Sequence, residues 1–417
     1  DYRSSRGLGD VYKRQFPDPF RDGRHIMRVG VQGKDLERAE RPPLHLTFLV
    51  DVSGSMSSAD KLGLAKTSLH MLVDTLQEGD TVALATYAGR VAEVLAPTDA
   101  TDKRAIHDAI EALSSGGGTA MSSGIDLAYK LADKSFEEGA ENRVLILSDG
   151  DANVGASSWD EMLSQIKGHA DDGVTLSTIG FGMGNYRDTL MEQLANNGDG
   201  NNFYIDSQAQ AQRVFVEQMG STIFTIARDV KLQVEFHDDS VAAYRLIGYE
   251  NRDIADRDFR NDRVDAGEVG AGHTVTALYE VILKEGYSDT LATVHLRYED
   301  PGKDKAAKEI DFPFPDDALS ETEALTSRDA RIAYAAATFA EILRDSPHAN
   351  ELSMGKLIRY TRNAQRDHKD DRELLSLMET AQQLGAGAGP GVARGHPAAD
   401  HGAPTGGPGG AGLGGWG

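Results

Sequence analysis

Five residues bring oxygen donors at spacings suited to a divalent cation: Asp51, Ser53, Ser55, Thr119 and Asp149. Asp51 ends the apolar run LHLTFLVD. Ser53 and Ser55 follow it on one turn, with Gly54 letting the backbone bend between them. Thr119 comes directly after three glycines, and Asp149 ends a second apolar run at Ser148-Asp149-Gly150. Oxygen donors without nitrogen or sulfur suit Mg²⁺, Mn²⁺ or Ca²⁺ rather than zinc. Two carboxylates with neutral hydroxyls balance such an ion without burying excess negative charge. Mg²⁺ takes about six oxygens, so waters and one replaceable position remain, where an incoming carboxylate could bind.

Each of these residues is ordinary by itself. Asp and Ser populate turns, and Asp51 or Asp149 could simply cap a helix. Asp151 and Asn153 could line the same site, but shaping the turn is the plainer reading. His45 and His70 fall in a strand and a helix and read as packed or exposed side chains. His396 and His401 read as solvated.

The elements around the five residues decide whether they meet. Leu44 to Asp51, Thr81 to Tyr87, Arg143 to Leu147, Val174 to Phe181 and Asn202 to Ile205 read as strands. Helical spacing separates them. Leu62, Ala65, Leu69, Leu72, Val73 and Leu76 predict a helix that Ser57 or Ser58 caps and Gly79 stops. Further helices are predicted over Lys103 to Leu113 and after Gly116-Gly117-Gly118-Thr119. Strands alternating with helices over residues 44–222 define an α/β class: a doubly wound, mostly parallel, Rossmann-like sheet. Ligands bind such sheets at the carboxyl ends of the strands, where all five residues fall.

From residue 223 the period changes to two. Val230 to Phe236, Thr274 to Leu283, Leu291 to Tyr298 and Glu309 to Phe314 predict an additional antiparallel β domain over 223–317. Residues 16–43 contain a strand at Ile26 to Gln32 that could join it. Residues 318–384 return to helical spacing and form a C-terminal helical region, and 385–417 are a Gly/Pro-rich tail expected to be disordered. Residues 1–15 match no element. They read as translated adapter sequence, so that the native start and any targeting signal would lie elsewhere.

A net charge of −23 argues against nucleic acid or an anionic membrane as partner. The absence of cysteine excludes disulfides, thiolate metal sites and cysteine nucleophiles. No apolar run is long enough for a transmembrane segment. There is no Gly-x-Ser-x-Gly elbow, Walker A loop or His-Glu-x-x-His.

The motifs DVSGS, GGGTAM and SDGDANVG, in this order, resemble the von Willebrand factor type A (VWA) domain with its metal-ion-dependent adhesion site. More narrowly, IGFGMGNYRDTLMEQLANNGDGNNFYID, YRLIGYENR, VDAGEVGAGHTVTALYEV and SRDARIAYAAATFAEILRDS resemble the bacterial YfbK-like group. The resemblance implies a VWA domain over 44–222, with Asp51, Ser53, Ser55, Thr119 and Asp149 holding Mg²⁺ (or Mn²⁺ or Ca²⁺). The bound ion would capture an acidic side chain of a protein partner. It also implies a further N-terminal segment and favours the cell envelope or another extracytoplasmic site. The function expected is a binding module rather than an enzyme. The alternative is a metal-assisted phosphate-ester hydrolase using Asp51, although Ser53 stands where such an enzyme would want a second carboxylate.

Overall fold

Leu44–Asp51 is buried at all eight positions, as a strand covered on both faces must be. The computed structural model describes residues 2–3, 8–36, 41–118, 120–151, 156–182, 188–218, 220, 223–248, 253–254, 258–261, 266–286, 290–300, 306–315, 326–349, 352–386 and 411–414. Leu44–Asp51 lies between Thr81–Tyr87 and Glu141–Ser148 and runs parallel to both. Val174–Phe181 and Asn202–Ile205 extend the sheet on one side, and Val91–Asp99 closes the other as an antiparallel edge. Side chains alternate between the faces. Leu46, Phe48 and Val50 pack with Leu69, Leu72 and Val73 of the helix Leu64–Thr75. Leu49 packs on the opposite face with Ile125, Ala128 and Leu131 of Met121–Ser135. Burying each large apolar side chain contributes about 1.5–3 kcal/mol.

The chain visits the two neighbours of Leu44–Asp51 in turn, so strand order reverses there. That reversal opens the crevice in which α/β sheets take ligands. One helix differs from expectation. A 3₁₀ turn, Gly54–Ser57, and a wide helical turn, Ala59–Gly63, precede Leu64, and the helix stops at Thr75 rather than near Gly79. The cause of the early stop is Asp80. Its buried carboxylate accepts the Gln77 N–H (2.8 Å) and the Leu44 N–H (3.0 Å), holding 77–80 as a turn under the central strand.

The remaining strands form two antiparallel sheets. His25–Gly33 pairs with Thr274–Leu283, which pairs in turn with Val241–Ile247. Thr225–Phe236 pairs with Thr290–Glu299 and Gly267–Gly270, and Lys308–Pro315 lies beyond Thr290–Glu299. Val29 and Val31 of the first sheet and Val234 and Val294 of the second share one core. The helices Arg328–Leu343, Met354–Ala364 and Lys369–Gln383 pack with Phe16, Ile26 and Leu278, covering the outer face of the first sheet.

Two terminal segments depart from the sequence reading. Residues 1–15 match no element in the sequence pattern, yet Leu8–Pro17 forms a strand against His25–Gly33, and Tyr2–Arg3 pairs with it. Charged residues at Lys13 and Arg14 mask the period-two pattern there, while Gln15 and Phe16 are buried. The tail also contributes a strand. Ala411–Gly414 lies against Thr225–Phe236 and Asp253–Ile254. Pairing uses backbone groups alone, so a run of small residues can dock on an open sheet edge. Residues 387–410 and 415–417 lie outside the described residues.

Phe16 tests whether the first of these segments belongs to the fold. Its ring is fully buried and meets Tyr334 edge-on at 5.9 Å. Phe16→Ala is expected to lower unfolding free energy by about 3–5 kcal/mol in urea titration. A change within about 0.5 kcal/mol, the range of an exposed site, would contradict this packing.

Candidate metal centre

Asp51 and Asp149 lie at the carboxyl ends of adjacent parallel strands, and the pairing of Val50 with Leu147 puts Asp51 level with Ser148, one residue before Asp149. Both are buried. Asp51 Oδ1 accepts the Ser53 N–H at 2.8 Å, and Oδ2 accepts the Ser148 hydroxyl at 2.9 Å. The first bond wraps the turn so that Ser53 follows the carboxylate closely. Ser53 Oγ and Ser55 Oγ then lie 3.0 Å apart, Ser53 buried and Ser55 half-buried. Asp149 Oδ1 accepts the Asp151 N–H at 3.1 Å, so exposed Asp151 shapes the turn with its backbone.

The glycine loop is sewn onto the same turn. Gly116 N–H donates to the Val52 carbonyl (2.7 Å), and Gly54 N–H donates to the Gly117 carbonyl (3.2 Å). Gly117 has φ +92°, and a Cβ there would come within 3.1 Å of the Gly89 backbone nitrogen. Only glycine passes through that gap without displacing the turn. Thr119 and Asn153 lie outside the described residues. The structure thus brings together Asp51, Ser53, Ser55 and Asp149, with the loop leading to Thr119 beside them.

The donor set fits a hard divalent ion. Adjacent oxygens around octahedral Mg²⁺, each about 2.0–2.1 Å from the metal, stand about 2.9 Å apart. The Ser53 and Ser55 hydroxyls already have that spacing. Electrostatics point the same way. Burial raises the pKa of Asp51 above the ordinary carboxylate value, and the charge of Asp149 pushes in the same direction. Hydrogen bonds from Ser53 and Ser148 oppose them without reversing the shift. Tyr87, opposite Asp51 in register, is driven well above its usual pKa by burial and then by the Asp51 charge, so its hydroxyl stays neutral.

Sequence reasoning missed two features. Lys61 places Nζ 2.8 Å from Asp149 Oδ2 and 3.0 Å from the Ser55 carbonyl oxygen. No local signal reveals a contact between residues 88 apart. The second is a group of His295, Glu309 and Asp311, whose ligand atoms lie within 4.8 Å of one another. Period-two strands disguised it, since the three residues meet only across the pairing of Thr290–Glu299 with Lys308–Pro315. Arg260 already engages Glu309 through two contacts of 2.6 and 3.1 Å, which makes this group an ion-pair cluster. His45 is packed, with Nδ1 2.8 Å from Thr81 Oγ1. His70 meets His107, Nδ1 to Nδ1, at 2.6 Å. His396 and His401 lie outside the described residues.

A doubly wound sheet with DVSGS and SDG loops at its switch point is the arrangement of a VWA domain. Residues 45–218 match the von Willebrand factor type A domain family, and residues 221–290 and 283–384 match the family described as "Uncharacterized protein YfbK, C-terminal". The chain is 35% identical over 386 residues to "Uncharacterized protein YfbK" of Escherichia coli (strain K12), covering 88% of this chain and 66% of that one. It is 26% identical over 340 residues to "Uncharacterized protein sll0103" of Synechocystis sp., covering 79% of each. A solved structure, "von Willebrand factor type A from Catenulispora acidiphila", superposes with a TM-score of 0.52 at 15% identity, covering 91% of both chains. That likeness shows the fold alone.

The chain is therefore a VWA-domain protein. It belongs to the bacterial YfbK-like family, spanning just under two thirds of the length of the Escherichia coli relative. VWA domains commonly mediate metal-dependent protein–protein interaction and are typically not enzymes.

The raised pKa of Asp51 has a consequence for the metal-free protein. The native state holds that proton more tightly than the unfolded chain, so ionisation of Asp51 at neutral pH destabilises the fold. Asp51→Asn is expected to raise the urea midpoint at pH 7 in chelator. The advantage should vanish as pH falls below the unfolded carboxylate range, where the wild type is protonated too. A lower midpoint at pH 7 would contradict the assignment.

Proposed function

We propose that this chain is a divalent-metal-dependent protein-binding module. Asp51, Ser53, Ser55, Thr119 and Asp149 would hold Mg²⁺, or Mn²⁺ or Ca²⁺ in its place, and the bound ion would supply the open position for an acidic side chain of a partner. The observation that carries this reading is the convergence of two buried carboxylates and two hydroxyls 3.0 Å apart at the switch point. The alternative, hydrolysis of phosphate esters by Asp51, has less support. Asp51 is wholly buried and both its oxygens accept hydrogen bonds, which lowers its reach and its nucleophilicity.

Metal binding to the folded state alone stabilises it by mass action, about 2.7 kcal/mol at a hundred times the dissociation constant. Mg²⁺ or Mn²⁺ is therefore expected to raise the melting temperature of the wild type in scanning calorimetry, and Asp149→Ala should abolish the rise. An equal rise in both proteins would place the metal elsewhere.

Holding the metal and using it separate at Thr119. Water can replace a neutral hydroxyl at modest cost but cannot replace the charge of a carboxylate. Thr119→Ala should leave Mg²⁺ affinity within about tenfold, one factor of 1.4 kcal/mol. Capture of Asp- and Glu-containing peptides from an immobilised library should fall further. Peptide capture unchanged in Thr119→Ala, or insensitive to chelator in the wild type, would refute metal-mediated recognition.

A further inference from the structure

The charge of Asp149 is already met by a cation of the chain itself. Lys61 Nζ donates to Asp149 Oδ2 at 2.8 Å and to the Ser55 carbonyl oxygen at 3.0 Å. The lysine stands on the turn Ala59–Gly63, directly after the loop that carries Ser53 and Ser55. Most exposed lysine pairs wander, because four rotatable bonds separate charge from backbone. This one is seated along its length. A Cβ on Gly182 would come within 2.5 Å of Lys61 Cε, 2.7 Å of Cγ and 3.0 Å of Cδ, so the stem lies in the space a missing side chain leaves. Gly182 is at φ +86°, and its carbonyl accepts the Tyr204 hydroxyl at 2.7 Å, which holds the seat in place. Lys61 is 24% exposed against 3% for Asp149, so the ammonium reaches the site from its rim.

We propose that Lys61 is a built-in competitor of the divalent ion. Its ammonium neutralises Asp149 in the metal-free protein, and the metal binds by displacing it. This rests on the metal-site reading above, since Asp149 is the shared ligand. An ammonium and a hard divalent cation seek the same oxygens, and two cations held a few ångströms apart at a buried carboxylate repel with little screening. The lysine therefore lowers metal affinity. It also couples loading to a movement of the turn 59–63 away from Gly182. The effect would make the adhesion site a two-state element, closed by its own cation until metal is abundant.

The test is calorimetric titration of Mg²⁺ and of Mn²⁺ into the full chain as wild type, Lys61→Met, Gly182→Ala and Lys66→Met. Lys66 pairs with Glu111 at 3.8 Å and loses the same charge from the adjoining helix, so it controls for net charge. Lys61→Met is expected to bind metal at least tenfold more tightly than wild type. Gly182→Ala, which keeps the charge but fills the seat, should also bind more tightly. Lys66→Met should match wild type. Equal or weaker affinity in Lys61→Met would overturn the proposal while leaving the metal site standing, and would make Lys61 a supporting partner of Asp149. A tightening of the same size in Lys66→Met would overturn it as a general charge effect. Absence of metal binding in all four proteins, each with wild-type circular dichroism, would overturn both the proposal and the metal-site reading.

Discussion

Two carboxylates are brought to the same sheet edge and buried there, and much of the structure follows from that constraint. Asp51 and Asp149 end strands that pair in parallel register, so their charges cannot move apart without breaking the sheet. Water is largely excluded, and an unpaired buried charge is costly. The chain answers with local donors: the Ser53 N–H and Ser148 hydroxyl on Asp51, and the Asp151 N–H and Lys61 ammonium on Asp149. On Asp51 the donors oppose the burial penalty without cancelling it, and its pKa stays above the usual carboxylate value. A bound cation would relieve such a penalty.

The strand that leads to Asp149 is also tied to the antiparallel region. The Arg143 guanidinium, fully buried, donates to Ser177 Oγ at 2.6 Å and to Thr225 Oγ1 at 3.2 Å while pairing with Glu141 at 2.8 Å. It ties the strand that ends at Asp149 to Thr225–Phe236 of the antiparallel region. Removing one member of such a buried pair typically costs about 3–5 kcal/mol. A second hub lies where the helices cover the other antiparallel sheet. Glu280 is met by Arg21 and Arg245, each at 2.8 Å, and by Arg24. Burial works to raise its pKa, but the three guanidiniums outweigh it and hold the carboxyl below its usual value. Arg245 also pairs with Glu341 of the helix Arg328–Leu343 at 3.2 Å, so a buried charge pair joins the β and helical regions, while the Arg143–Thr225 hydrogen bond ties the β region to the α/β sheet.

Much of this was legible in the amino-acid sequence because apolar runs ending in Asp are unusual signals. LHLTFLVD and RVLILSD read as covered strands, and strand–helix alternation brings their carboxyl ends to one edge of the sheet. The helical region after residue 318 is equally plain from its 3.6 period, and the structure places Arg328–Leu343 there, with the Ser327 hydroxyl accepting the Ala330 N–H. What sequence could not supply was long-range charge. Lys61 carries no local signal of its contact, and Arg143 reads simply as the first residue of a strand. Both act on residues dozens of positions away. The strand Leu8–Pro17 was hidden by its charged residues, and the strand Ala411–Gly414 by a composition that pairs through backbone alone.

The central claim is that a divalent ion sits at the carboxyl ends of Leu44–Asp51 and Glu141–Ser148. The most direct measurement is an anomalous difference map from crystals soaked in Mn²⁺, collected near the manganese edge. The account predicts one strong peak bounded by Asp51, Ser53, Ser55 and Asp149. Density confined to the cluster of His295, Glu309 and Asp311, with Lys61 still seated on Asp149 and no peak at the strand ends, would contradict it.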